Sequence, residues 1–277
     1  MIDMATAPGA LALLAIALIG AGLLTGFMAG LLGIGGGGVM VPVLYEVLGL
    51  AGVDPSLRMH MALGTSLCVM VPTSLRSFKA HQAKGAVDME VWRSMAPGVV
   101  AGVVGGVLIA RYANKNALQV VWIVSATLMA LKMFFGRDGW RLGDTLPGNP
   151  FRAIFAGFVG LLSALMSIGG AAYIVMFMTL HGRSMHQAVA TSSGFGALIS
   201  IPGSIGMAWA GYGLAGLPPG SIGYVSLLGA ALIIPTSVFA APYGAHLAHG
   251  LSRRTLELGF GAFMSIVALK FLIGLVI

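Results

Sequence analysis

Gly33-Ile34-Gly35-Gly36-Gly37-Gly38-Val39-Met40-Val41-Pro42 is the stretch on which the fold turns. Each of the four consecutive glycines, Gly35 to Gly38, weakens a helix by about 1 kcal/mol relative to alanine. The flanking residues are apolar enough to lie in lipid. There, freed backbone groups are tolerated only where protein or a wet cavity satisfies them. An unwound patch here therefore implies a buried cavity, and glycine lets a ligand come close to the backbone. The amides of Gly37, Gly38 and Val39 begin a new helix just after the break. Their unpaired donors, with the helix dipole behind them, favour an anion. Gly33, Gly35 and Gly38 also fit the dinucleotide fingerprint formally, but no strand precedes them and their surroundings are membranous.

Working outward, apolar runs recur at Leu11 to Leu32, Ala96 to Ala110, Ala117 to Leu131 and Leu256 to Ile277. Such runs signal transmembrane helices. The alternating ten-residue segments of a β-barrel are not seen. Of the 277 residues, 58% are hydrophobic and 8% charged, against about 25% charged in a soluble domain, so lipid must cover most of the surface. Asp3 stands where a signal peptide would be basic, and the first apolar run is too long for one, so it reads as the first membrane helix. The single cysteine, Cys68, leaves no internal disulfide framework or cysteine metal cluster, and it reads as a packing residue. The net charge of +7 fits basic cytoplasmic loops better than nucleic-acid binding, because no basic cluster is interleaved with aromatics.

The chain repeats itself. At an offset of 138, Gly106 meets Gly244, Ala110 meets Ala248 and Leu118 meets Leu256. Ala130-Leu131-Lys132 meets Ala268-Leu269-Lys270, Gly136 meets Gly274, and Pro97 meets Pro235. Nearer the start of each half, Gly26-Phe27 resembles Gly157-Phe158. Gly33 to Gly36 resembles Ser167-Ile168-Gly169-Gly170, and His60 to Ser66 resembles His186 to Ser192. The loop from Arg76 to Arg93 is basic, whereas its counterpart near Gly211 to Ser221 is uncharged. The positive-inside rule then puts them on opposite faces, so the halves are inverted, as in many secondary transporters. Arg111 and Lys115 fall on the outer face, against that rule.

The expected architecture is an all-α membrane protein with about eight to ten transmembrane segments in two inverted repeats. Each repeat opens with a glycine-rich broken helical hairpin. Residues 1–136 form the first repeat, 137–150 a cytoplasmic linker and 151–277 the second. The helices expected are 10–32, 38–50, 59–80, 92–111, 116–136, 151–168, 171–181, 186–210, 222–247 and 254–276. The second of each half is too short to span about 30 Å of hydrocarbon.

The candidate anion site joins Gly35, Gly36, Gly37 and Gly38 with Gly169 and Gly170, where two helix starts converge. Thr65, Ser66, Thr191 and Ser192 add hydroxyls at equivalent places in the two halves. Glu46, the acid inside an apolar segment, is a candidate for proton coupling. His60 and His186 open their helices and titrate near neutrality. Arg76 and Lys79 are placed to draw anions to the cytoplasmic mouth, and they also serve as topology determinants. Glycines 22, 26 and 30, and 98, 102 and 106, read as packing stripes. His246 and His249 have no partners at metal spacing, so no metal site and no cofactor are expected.

Gly26-Phe27-Met28-Ala29-Gly30-Leu31-Leu32-Gly33-Ile34-Gly35-Gly36-Gly37 followed by Val41-Pro42, with Ala62 to Ser66 and its echo Ala188 to Ser192, resembles the sulfite exporter TauE/SafE family of membrane proteins. The resemblance covers nearly the whole chain. It implies transport of sulfite, sulfoacetate, thiosulfate or related organosulfonates, usually outward from a bacterial cytoplasm across the inner membrane. The expected partners are a small anion, the lipid bilayer and protons as a coupling ion. Two other readings stand beside it: an intramembrane enzyme, which would need a nucleophile and base that are not found, and a channel or carrier for another small anion such as a carboxylate.

Overall fold

In lipid a backbone must satisfy its own hydrogen bonds, and the helix does so within one segment. The chain is accordingly almost all helix. The structure, a computed structural model, describes residues 8–32, 37–136 and 142–276. The first half holds α1 (Pro8–Leu32), α2 (Gly37–Leu50), α3 (Pro55–Ala83), α4 (Met89–Tyr112) and α5 (Lys115–Phe135). The second holds α6 (Phe151–Met166), α7 (Ala171–Leu180), α8 (Met185–Ala210), α9 (Leu227–His249) and α10 (Arg253–Val276). Two-residue strands β1 (Ser221–Ile222) and β2 (Val225–Ser226) pair antiparallel before α9. Among the described residues, six segments are long and apolar enough to cross a membrane: Ala12–Leu31, Met89–Tyr112, Lys115–Phe135, Met185–Ala210, Leu227–Gly244 and Arg254–Leu275.

Caps fix the helix starts. Asp54 Oδ1 accepts from Ser56 N at 2.8 Å, and Pro55 opens α3, where a missing N–H costs nothing. That is why α3 starts four residues before its apolar run. Asp88 caps α4 through Val91 N, and Asn114 caps α5 through Ala117 N.

The two halves are interlocked. Helix α1 packs along α9, α4 along α6, α3 against α8 and α5 against α10. The first helix of each half thus lies on the fourth of the other. Close approach needs missing side chains. A β-carbon on Gly22 or Gly26 would strike Thr236 or Ser237 of α9, and one on Gly244 would strike the α1 backbone at Phe27. On the matching seam, Gly98, Gly102 and Gly106 of α4 lie on the backbone of α6 at Ala153, Gly157 and Leu161. Outside this core, Leu13, Ile16, Leu128, Ile205, Phe239 and Ile266 are exposed, as lipid-facing side chains should be.

Contacts between segment ends sort the molecule into two ends. At one, His60 reaches Ala110 and Ala113, and Ser226 reaches Thr65. At the other, Asp88 meets Thr191 and Arg183, and Arg254 holds the carbonyls of Met133 and Phe134. Leu142 N donates to Leu180 O at this second end. Helix α6 therefore starts and α7 finishes on the same side, as a hairpin. With 10 residues, α7 is about 15 Å long, half of the roughly 30 Å of a hydrocarbon core. The buried tip, Ser167 to Gly170, touches Met70 and Gly196, at the middle of α3 and α8.

Candidate functional site

The site grows from the second hairpin tip. Ser167 ends α6 with φ 52, a left-handed conformation uncommon for a side chain. It stands where the first half has Gly33. Its N–H and that of Ile168 both return to Ser163 O. Gly170, with φ 68, then turns the chain into α7 and provides no side-chain cap. The first-turn amides of α7 are consequently donors without an intrahelical acceptor.

The first hairpin meets this tip. Gly37 and Gly38 open α2 and are buried. A β-carbon on Gly37 would collide with Ser167 O and Met70 Sδ, and one on Gly38 would lie 3.6 Å from Ile168 Cδ1. Gly35 and Gly36 lie outside the described residues. Ser66 Oγ bonds Ser167 Oγ across the halves and also reaches Leu63 O at 3.1 Å. Both serines are fully buried. Gly169 sits beside Met70 and Gly196. The structure therefore brings Gly37, Gly38, Ser66, Gly169 and Gly170 to one place.

The threonines are placed elsewhere. Thr65 Oγ1 accepts from Ser226 N at 3.0 Å, and Thr191 Oγ1 accepts from Asp88 N at 2.8 Å. Ser226 and Asp88 are themselves equivalent: Ser226 Oγ accepts from Gly229 N as Asp88 Oδ1 accepts from Val91 N. Each threonine thus clasps the start of the fourth helix of the other half, and the two clasps lie at opposite ends of the molecule. Ser192 returns its proton to Val189 O at 2.8 Å. One asymmetry stands out: Asp88 Oδ2 also takes Arg183 at 3.7 Å and Gln187 at 3.3 Å, for which Ser226 has no equivalent group.

The remaining candidates are peripheral. Glu46 pairs with Lys270 at 2.9 Å, linking α2 to α10. His60 Nε2 lies 3.0 Å and 3.1 Å from the carbonyls of Ala110 and Ala113, so that nitrogen carries the proton and donates, and the ring stacks on Tyr224. His186, Arg76 and Lys79 are exposed. The guanidinium of Arg111 lies 3.9 Å from the Trp209 ring centroid, which gives this cation an aromatic seat.

Sequence reasoning missed Ser163, Ser167 and Met70. Only Ser167 left a signal, as the one departure from glycine in an otherwise matching tip. Among the described residues, no Asp, Glu, Lys or Arg is buried. The centre offers hydroxyls, amides and a thioether. Such donors can hold an anion by hydrogen bonds and a helix dipole.

A family model described as sulfite exporter TauE/SafE matches residues 18–271. A probable membrane transporter protein of Haemophilus influenzae is 33% identical over 251 residues, covering 90% of this chain and 94% of that protein. A probable membrane transporter protein of Methanocaldococcus jannaschii is 26% identical, covering 92% and 94%. One of Bacillus subtilis is 25% identical, covering 74% and 80%. No solved structure matches the chain.

Proposed function

The chain belongs to the sulfite exporter TauE/SafE family and is a multi-pass membrane transporter, and on that premise we propose that it moves a small sulfur-containing anion out of the cytoplasm by alternating access. The cargo in this reading is sulfite, sulfoacetate or a related organosulfonate. It binds where the two hairpin tips meet, against the middle of α3 and α8. The observation that carries the reading is the second tip, where an uncapped helix start and buried serine hydroxyls gather with no buried charge beside them. That chemistry suits an anion that must also leave again.

The two repeats are inverted in this reading. Helices α3 and α8 run in opposite directions between the ends defined by the clasps, which supports the inversion. Residues 1–136 and 151–277 are the repeats, and 137–150 is the cytoplasmic linker. The clasps Thr65–Ser226 and Thr191–Asp88 belong to opposite ends, so releasing one while keeping the other opens the centre to one side at a time. Outward movement of an anion from a negative-inside cell gains about 2.3 kcal/mol per charge per 100 mV. Protons are the other driving ion.

The test is flux of labelled sulfite and sulfoacetate in proteoliposomes, with membrane potential and pH gradient imposed separately. Saturable flux of either anion is expected, and the gradient that drives it names the coupling. Folded protein that carries a carboxylate but neither of these anions would move the reading to that other anion class.

A further inference from the structure

We propose that Ser163, together with the first amides of α7, is the contact that selects singly charged oxyanion head groups over doubly charged ones. The inference rests on the reading of the hairpin tips as the anion site, and it assigns the residue and the charge rule within that site.

Serines and threonines in helices usually return their proton to a carbonyl three or four residues back. Thr25, Ser94, Ser192 and Ser265 all do so here. Ser163 does not. It is completely buried, yet its Oγ has no hydrogen-bond partner. A buried hydroxyl without a partner is unfavourable unless something else completes it. Its position says what that is. A β-carbon built on Gly170, the residue that starts α7, would lie 3.3 Å from Ser163 Oγ. The unspent hydroxyl therefore lies against Gly170, the residue that leads into the uncapped start of α7, whose first residues, Ala171, Ala172 and Tyr173, are only half-buried.

The surroundings limit the charge. The atoms that β-carbons built on Gly169 and Gly170 would meet belong to Met70, Gly196, Val159, Ile199 and Ser163, none of them charged, and among the described residues no Asp, Glu, Lys or Arg is buried. A helix start supplies roughly half a positive charge. One negative charge spread over several oxygens is matched by that dipole and by hydrogen bonds. A second would stay desolvated and unpaired. A hydrogensulfite ion or the sulfonate end of a larger molecule satisfies this rule, and sulfate does not.

The experiment uses the full-length protein in detergent. Isothermal titration at matched ionic strength follows methanesulfonate, which always carries one charge, and sulfate, which carries two. Wild type is expected to bind methanesulfonate and not sulfate. Ser163→Ala is expected to bind methanesulfonate at least about tenfold more weakly, the loss of one hydrogen bond to a charged group. Its melting temperature without ligand should equal or exceed that of wild type, because no protein bond is lost. A lower ligand-free melting temperature would show that Ser163 serves the fold instead. Equal methanesulfonate affinity in the variant, equal binding of sulfate, or no binding of methanesulfonate to wild type each overturns the proposal. Sulfite flux in vesicles with the same KM in Ser163→Ala sinks this inference and leaves the transport reading intact. Ser163-dependent binding without flux of any tested anion does the reverse.

Discussion

Thr65 and Thr191 show how much one hydroxyl can hold. Each is buried, and each accepts the backbone N–H that opens a helix in the other half, 161 and 103 residues away in the chain. Replacing either by alanine leaves a half-buried N–H without its partner, at a cost of about 1 kcal/mol. Thermal unfolding of Thr65→Ala and Thr191→Ala in detergent should show both less stable. Serine at either position should restore most of the loss. The clasps lie at opposite ends, so the double variant should show the sum of the two losses. An unchanged melting temperature in both alanine variants would refute the clasps. The matched Thr-Ser pairs were legible in the sequence, where their symmetry pointed to a ligand. Their partners were not, because nothing local ties Thr65 to residue 226. Ser66, one position on, does reach the hairpin tip, so neighbouring hydroxyls divide the two jobs.

Among the elements, the glycine seams decide whether helices can meet. On α4, a β-carbon at Gly102 would run into the backbone carbonyl of Gly157 on α6. Backbone cannot swing aside as a side chain does, so Gly102→Ala should cost about 1–3 kcal/mol through overpacking, and Gly102→Leu should abolish the folded peak in size-exclusion chromatography. The same holds for Gly244 on the seam between α9 and α1. By contrast, Gly20 has nothing within 4 Å of its would-be β-carbon, so Gly20→Ala should be tolerated and serves as the control. The start of α3 carries a pH signature. The Ser56 hydroxyl and N–H hold the Asp54 carboxyl below the ordinary aspartate range. A depressed folded value means that the cap's contribution is present above the unfolded pKa, near 3.8, and fades as pH falls through the lower folded value. The stability gap between wild type and Asp54→Ala should therefore close on acidification below that range and stay constant above it. Helix positions were readable from apolar runs and glycine breaks to within about four residues, except that α9 begins at Leu227 and not at residue 222, because Ser221–Ile222 and Val225–Ser226 form the strand pair. The start of α3 was missed because polar residues, Pro55 to Arg58, precede the apolar run. The hairpin form of α6 and α7 followed from length alone, since a helix as short as α7 cannot cross.

At the scale of the whole molecule, neither half is a separate body. Helix α1 belongs to α9 and α6 to α4, so each half lends its first helix to the other. Fragments 1–141 and 142–277 made separately should each be degraded or aggregate in the membrane, while their co-expression should restore a stable complex that co-purifies. Survival of either fragment alone as a folded monomer would contradict the interlock. Matched residues such as Ala130-Leu131-Lys132 and Ala268-Leu269-Lys270 pointed to a repeat in the sequence. Which helix packs on which was not, because a glycine stripe advertises a close neighbour without naming it.

That exchange of helices also sets a schedule for synthesis. About 200 residues separate the end of α1 from the start of α9, and at about 5–20 residues per second a ribosome needs on the order of 10–40 s to make them. For that interval α1 waits in the membrane with the faces of Gly22 and Gly26 turned to lipid or to the insertion machinery. The nascent protein is most open to wrong helix partners during this wait, and a slow codon run before α9 would lengthen it.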